Sequence, residues 1–251
     1  MNYLIITGGT RGLGEEIVKS FAKEDTHIIS IARGENQELQ ALVEDRGGKF
    51  TPIQFDLADI EKVENLMEEV FHRIDKKSAK SIHLVNNAGI VAPIKPIERC
   101  EAEEIIKSQH VNLVAPMLMI SSFCKMTASL QCEKRVINVS SGAAKRPIYG
   151  WSSYGSSKAG LDLFSQGAAL DQEKTEHPVK VLSFYPGIMD TDMQAEIRSS
   201  AKEDFINVET FQNYKEEGKL LPPKRVAEVV VQLLETDSFP NGEVVAVQDY
   251  L

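Results

Sequence analysis

The chain has little of what marks a secreted, membrane-bound or nucleic-acid-binding protein. Its 251 residues include only three cysteines, Cys100, Cys124 and Cys132. An odd count without close metal-ligand spacing suits reduced thiols, as in a cytoplasm, rather than a disulfide framework. The five histidines are scattered, and no metal site is expected. No apolar run approaches the ~20 residues of a membrane span. The N-terminus carries no basic stretch or cleavage site, and an apolar segment begins almost at once, so no signal peptide is expected. Basic charge is in deficit: 28 Lys and Arg against 37 Asp and Glu leave a net charge of -9. Nucleic acid or an anionic membrane would call for basic patches, so neither is an expected partner. Internal repeats and low-complexity segments are also missing.

What the chain does have is alternation. Strands are expected near 2–7, 26–32, 50–55, 81–86, 134–140, 179–184 and 243–248, and helices over 12–24, 36–46, 59–75, 101–130, 153–175 and 223–235. Strand and helix in strict turn imply an α/β, doubly wound (Rossmann) fold, a parallel sheet of about seven strands with helices on both faces. The length fits one domain, 1–251, with a sizeable core. The Pro- and Gly-bounded stretch at about 187–222 breaks the pattern. Its Met189, Met193, Ile197, Phe205, Ile206, Phe211 and Tyr214, mixed with charges, suggest either a semi-mobile helical lid or a surface excursion packed on the core.

Two local patterns carry chemistry. The first is Thr7-Gly8-Gly9-Thr10-Arg11-Gly12-Leu13-Gly14, set between the apolar Tyr3-Leu4-Ile5-Ile6 and a segment whose Ile17, Val18, Phe21 and Ala22 have helical spacing. Strand, glycine turn and helix together make a phosphate cradle: the glycines allow a tight turn and close approach, and the helix N-terminus faces the anion. The spacing is Gly-x-x-x-Gly-x-Gly, and the plain alternative is a flexible turn. The second is Tyr154-Gly155-Ser156-Ser157-Lys158. Residues four apart share a helix face, so the Lys158 ammonium can sit beside the Tyr154 phenol. A phenol of pKa ~10 is a poor acid at neutral pH, and a neighbouring cation is expected to bring it toward the working range.

On these residues, and on Asn86-Asn87-Ala88-Gly89, Asn112, Ser141 and Pro186-Gly187-Ile188-Met189-Asp190-Thr191, the chain resembles the short-chain dehydrogenase/reductase family. The motifs follow the family's order from residue 7 to residue 191. The resemblance implies hydride exchange between a nicotinamide cofactor and a carbonyl or alcohol. It gives Tyr154 as proton donor, Lys158 as its partner and a ligand of the cofactor ribose, and Ser141 as a second donor to the carbonyl oxygen. Ser140 competes with Ser141; the family's interval from serine to tyrosine selects Ser141. Asn112 would anchor a proton relay beyond Lys158, or else is a buried polar residue of no special role. Cofactor contacts are implied for Ile6, Gly8, Thr10, Arg11, Gly12, Leu13, Gly14, Arg33, Asp56, Leu57, Asn87, Ala88, Gly89, Tyr154, Lys158, Pro186, Gly187, Ile188 and Thr191. Ser141, Tyr154 and Gly187 would face the substrate. Asp56 can equally belong to a helix N-cap region, and Asn87 to a purely structural turn.

Charge bears on which cofactor is used. After the second strand the chain reads Ser30-Ile31-Ala32-Arg33, with no acid to grip a ribose 2′-hydroxyl. Arg33, with Arg11 from the glycine turn, offers forked donors to a 2′-phosphate, so NADP(H) is expected. Either arginine alone would read as a surface charge. Among subgroups the chain most resembles sepiapterin reductase-like carbonyl reductases, including bacterial benzil reductases. That implies a small-molecule ketone or vicinal dicarbonyl as substrate, and makes Asp249 a candidate substrate contact or an ordinary exposed charge. Pterins and 3-oxoacyl thioesters remain rivals on the same scaffold, as does a non-catalytic, NADP-binding regulatory role. Family members commonly pair through the helices expected at 101–130 and 153–175, so a homodimer or homotetramer is expected.

Overall fold

A strand covered by helices on both faces has no solvent side, and the segment Thr26-His-Ile-Ile-Ser-Ile-Ala is buried along its whole length. The computed structural model, which describes residues 1–251, places it second from one edge of a seven-stranded sheet. The strands are β1 (Asn2–Thr7), β2 (Thr26–Ala32), β3 (Lys49–Gln54), β4 (Ser81–Asn86), β5 (Glu133–Val139), β6 (Lys180–Tyr185) and β7 (Val244–Ala246). They lie in the order β3-β2-β1-β4-β5-β6-β7, and every pairing is parallel. The chain winds outward from β1 in one direction and from β4 in the other. The crevice between those two strands is where such folds bind ligands.

Strand alternation divides the core in two. Leu4 and Ile6 face α1 (Gly12–Phe21), α2 (Gln37–Asp45) and α9 (Pro223–Glu235), where Ile17, Val18, Phe21, Leu39, Val226 and Leu233 pack. Tyr3 and Ile5 face the other layer, with Leu66 and Met67 of α3 (Val63–His72), Met119 and Phe123 of α5 (Ala115–Thr127), and Ala169 of α6 (Ser152–Gln172). The fold class expected from the alternation is thus the one observed. No helix is long and apolar enough to cross a membrane.

Several boundaries differ from expectation, each for a local reason. The helix expected over 101–130 is α4 (Ala102–Gln109), a π-helical turn His110–Val114, and then α5. Pro116 has no N–H to give the carbonyl of Asn112 four residues back, so an α ladder cannot run through this point. The expected strand 243–248 stops at Ala246, because the Asp249 carboxylate accepts the Ala246 N–H at 3.0 Å and the chain curls into a 3₁₀ turn. Residues 59–75 open with a 3₁₀ turn, Ile60–Lys62, and the helix ends at His72.

Residues 187–222 do contain helices, α7 (Asp192–Arg198) and α8 (Val208–Glu216). The base of this excursion is closed: Leu221 N donates to Ile188 O at 2.8 Å, and Asp190 N to Leu221 O at 3.2 Å. Its interior is anchored by Phe205, fully buried and stacked on Trp151 with ring centroids 4.9 Å apart.

Candidate active site

The glycine turn is shaped by contacts that leave no room for a side chain. Gly8 and Gly12 have φ of 66° and 56°, the left-handed region that side chains rarely adopt. A Cβ on Gly14 would lie 2.1 Å from Gly8 O, so α1 packs directly on the turn. Arg11, at the N-cap of α1, makes no side-chain cap bond, and the first amides of the helix are left to a ligand. Across the crevice, Asn87 holds the turn from β4. Its Nδ2 donates to Thr7 O at 3.0 Å and to Gly8 O at 3.1 Å, while Asn87 N and Ala88 N both donate to Thr7 Oγ1 at 3.0 Å.

A cleft of about 440 Å³ opens along the carboxyl ends of the strands. Of the residues expected to hold a cofactor, it is walled by Gly8, Thr10, Arg11, Gly12, Leu13, Arg33, Asp56, Leu57, Asn87, Ala88, Gly89, Tyr154, Lys158, Pro186 and Thr191. Ile6, Gly14, Gly187 and Ile188, also expected to touch the cofactor, are not part of that wall. Ile6 is core, and Gly14 acts through packing. Gly187, at φ 73°, admits the side chains of Leu221 and Val247. Met189 and Met193, expected from the 187–222 segment, line the cleft, and sequence reasoning missed Ile31, Ala32, Phe55, Val139, Lys107 and Val111, which also line it. Position at a strand end could have found the first four. Lys107 and Val111 come from the α4–π turn region, where no linear pattern points at the cleft. The residues fit a dinucleotide: a sterically necessary glycine cradle, an uncapped helix N-terminus and two arginines in one wall. Arg11 also pairs with Asp192 at the start of α7, at 3.2 Å, with both side chains well exposed.

Tyr154 lies in the first turn of α6, and Lys158 one turn on; both are buried. Lys158 Nζ donates to Val139 O at 2.9 Å and stands 5.8 Å from the centroid of the Tyr154 ring. Burial lowers the Lys158 pKa to about 8, against the opposing pull of the Asp162 carboxylate. The expected lowering of the Tyr154 pKa by Lys158 is not what the structure has. Burial pushes the phenol up, and the hydrogen bond that draws it down comes from Ser141. The ammonium is committed to a backbone carbonyl beside the ring, and the loss of hydration around the phenol dominates.

The two serines have different partners, and Ser140, not the expected Ser141, is the one in the cleft wall. Ser141 turns to Tyr154 and also accepts Ala143 N at 3.2 Å, capping the 3₁₀ turn Gly142–Ala144. Ser140 donates to Lys158 O at 3.4 Å. Asn112, fully buried in the π turn, spends its amide on one backbone unit: Nδ2 donates to Ile90 O at 2.8 Å and Oδ1 accepts Ile90 N at 2.9 Å. A Cβ on Gly89 would fall 3.2 Å from Asn112 Oδ1 and 3.5 Å from Lys158 Nζ, so the three groups meet. Behind Tyr154 lies a small buried apolar cluster. Trp151 packs edge-on to the Tyr154 ring at 5.4 Å, with Val91, Ala143, Ile197, Phe205 and Val208 around. Asp249 is exposed, bonded to Ala246 N, and outside the cleft wall.

This is the architecture of a dinucleotide-dependent oxidoreductase, with the glycine cradle at one end of the cleft and a paired phenol and ammonium at the other. Residues 2–202 match the short chain dehydrogenase family. The chain is 47% identical to benzil reductase ((S)-benzoin forming) of Bacillus cereus over 99% of its own length and 100% of that protein. It is 38% identical to the protein of that name in Bacillus subtilis (strain 168) over the full length of both. Among solved structures it resembles the KRED1-Pglu enzyme, with a TM-score of 0.83 and 28% identity, covering 98% of this chain and 100% of that one. The chain belongs to the short-chain dehydrogenase/reductase family. It is an enzyme acting on carbonyl and alcohol groups of small molecules, in a family that binds NAD or NADP.

A cation held out of water costs stability, and the lowered Lys158 pKa sets the sign. Below about pH 8 the folded protein carries that cost in full, and it fades as pH rises toward the ordinary lysine value. Lys158→Met removes the cost at the expense of one bond to Val139 O. Its melting temperature at pH 7 is expected to equal or exceed that of the unmodified protein. A clear fall in the thermal unfolding midpoint would contradict this.

Proposed function

We propose that this chain is an NADPH-dependent reductase of benzil-like aromatic vicinal diketones, forming a single alcohol enantiomer. The 47% identity to the Bacillus cereus benzil reductase over essentially the whole of both chains carries the reading. Met189 and Met193 in the cleft wall support it, since methionine side chains suit an apolar substrate and can adapt to it. A vicinal dicarbonyl also has an electron-poor carbon, which favours reduction over alcohol oxidation.

When bound, the nicotinamide supplies the hydride. Ser141 and Tyr154 donate hydrogen bonds to the substrate carbonyl oxygen, where negative charge develops. Tyr154 then gives up its proton as general acid. Lys158 stabilises the resulting phenolate and binds the nicotinamide ribose. Asn112, by gripping Ile90 on both its N–H and C=O, holds Gly89 against Lys158 and supports the proton path. Arg11 and Arg33 take the 2′-phosphate, while the first amides of α1 face the pyrophosphate. In this reading residues 1–251 are one cofactor-binding domain, and 187–222 form a lid tied down through Phe205 on Trp151. The free cysteines support a cytoplasmic setting. The outward face of α6 carries Ala159, Leu163 and Leu170, the last two 72% and 61% exposed, which supports pairing of two chains through this helix.

The test of substrate is a parallel assay of NADPH oxidation with benzil, sepiapterin and an acetoacetyl thioester, with chiral analysis of the alcohols. Benzil is expected to turn over fastest, to one enantiomer. Faster turnover of the thioester would move the chain to fatty-acid chemistry, and no turnover of any carbonyl would favour a binding role. Tyr154→Phe is expected to lower kcat by ~10²-fold or more with cofactor affinity unchanged, as removal of a general acid should. Substantial remaining activity would overturn the mechanism. Arg33→Ala is expected to weaken NADPH by ~10-fold or more and NADH hardly at all, the scale of a charged hydrogen bond. Equal use of both cofactors by the unmodified protein would sink the NADP assignment. Light scattering at micromolar concentration should give a mass of at least two chains, and a monomer would refute the pairing.

A further inference from the structure

The 2′-phosphate is the one group by which NADPH exceeds NADH, so its recognition turns on how much positive charge the cleft leaves free for it. The two arginines in the wall differ in this respect. Arg33 is exposed, and only its backbone carbonyl is engaged, by Gln54 Nε2 at 3.0 Å. The Arg11 guanidinium already has a partner. Its Nη1 donates to Asp192 Oδ2 at 3.2 Å, and this pair is the single side-chain hydrogen bond between the glycine turn and the 187–222 excursion. Asp192 itself lines the same cleft.

The backbones that carry the pair are held in place. Asn36 Nδ2 donates to Thr10 O at 3.0 Å and secures the turn from the β2 side. A Cβ on Gly12 would lie 3.7 Å from Thr191 Cγ2, so the root of α7 stands directly against the turn. Arg11 and Asp192 therefore stay neighbours, although 69% and 79% of their side chains are exposed. A phosphate brought to Arg11 meets a guanidinium that is partly neutralised. It either displaces the carboxylate or shares the arginine with it. The first breaks an ion pair, and the second sets two negative groups on one cation, so both oppose binding. NADH brings no charge to this point and leaves the pair intact. The pyrophosphate is common to both cofactors, and its repulsion by Asp192 drops out of their ratio.

We propose that Asp192 is a positioning residue that sets the margin of NADPH over NADH: its carboxylate holds Arg11 back from the 2′-phosphate and so narrows the preference for the phosphorylated cofactor. This rests on the reading of Arg11 as a ligand of the 2′-phosphate. Arg33, which has no such competitor, supplies the unopposed part of the recognition. An ion pair this exposed contributes little to folding, so its charge bears on the ligand rather than on stability. Asparagine keeps the size of Asp192 and an oxygen for Arg11 to bond, and removes only the charge.

The test is titration of the protein with NADPH and with NADH, read by the fluorescence of the reduced nicotinamide without substrate present. Asp192→Asn is expected to raise the NADPH-over-NADH affinity ratio by ~2–5-fold, the range of an exposed ion pair. Asp192→Glu, which restores the charge, should leave the ratio near that of the unmodified protein. In an Arg11→Met background the Asp192→Asn change should no longer move the ratio, because the group it acts through is gone. A ratio that stays constant or falls in Asp192→Asn overturns the inference, and so does an undiminished gain in the Arg11→Met background. If Arg11→Met by itself leaves the ratio unchanged, the 2′-phosphate reading of Arg11 has failed, and the inference falls with it.

Discussion

The site depends first on a clamp across the crevice between β1 and β4. Thr7 and Asn87 exchange four hydrogen bonds of 3.0–3.1 Å with one another and their neighbours Gly8 and Ala88. These strands are adjacent in the sheet but lead in opposite directions, so no connection crosses between them. The clamp holds the gap open at a fixed width, and the glycine turn is pressed into shape behind it. Gly14 must lack a side chain because Gly8 O occupies the place where one would begin. A cradle built this way meets an anion with its donors already oriented, so little ordering is left to occur on binding.

At the other end of the cleft the controlling quantity is hydration. Tyr154 and Lys158 are both withdrawn from water, and burial pushes their pKa values in opposite senses, the phenol's up and the ammonium's down to about 8. That divergence leaves a phenol that remains protonated and a cation close to the point of losing its charge. Small fixed groups then decide the balance: the Ser141 hydroxyl on the phenol, and Val139 O and the Asp162 carboxylate on the ammonium. In a low-dielectric setting each acts more strongly than it would at the surface.

α6 joins these parts because its faces meet different surroundings. One side supplies Tyr154 and Lys158 to the cleft, and another sets Asp162 and Ser165 on the sheet, against Tyr185 and Asn138. Just before its first turn, Trp151 stacks on Phe205 and ties the 187–222 excursion to the helix. A helix so engaged has a low hydrophobic bias along any single face and is held by polar contacts specific to each direction. Its placement is correspondingly well determined.

Much of this was legible in the residues. Apolar runs of strand length between amphipathic segments imply a parallel sheet buried on both faces. The glycine turn and the Tyr154–Lys158 spacing are local patterns, and each is satisfied within one element and its flanking turn. The expectation of Ser141 over Ser140 followed from an interval along the chain, whereas the partners of the two hydroxyls, Lys158 O for Ser140 and Ala143 N for Ser141, are set by the fold. What the sequence alone could not decide were quantities that arise between elements. The sign of the Tyr154 shift depends on how deeply the folded chain buries the phenol. The break in the helix at 110–114 depends on Asn112 finding the Ile90 backbone as well as on Pro116. Lys107 and Val111 reach the cleft, and Tyr185 reaches Asp162, only because parallel winding brings segments distant along the chain to the same edge of the sheet. Sequence determines local geometry through sterics and periodicity, whereas desolvation and charge pairing are set by neighbours that only the folded chain assembles.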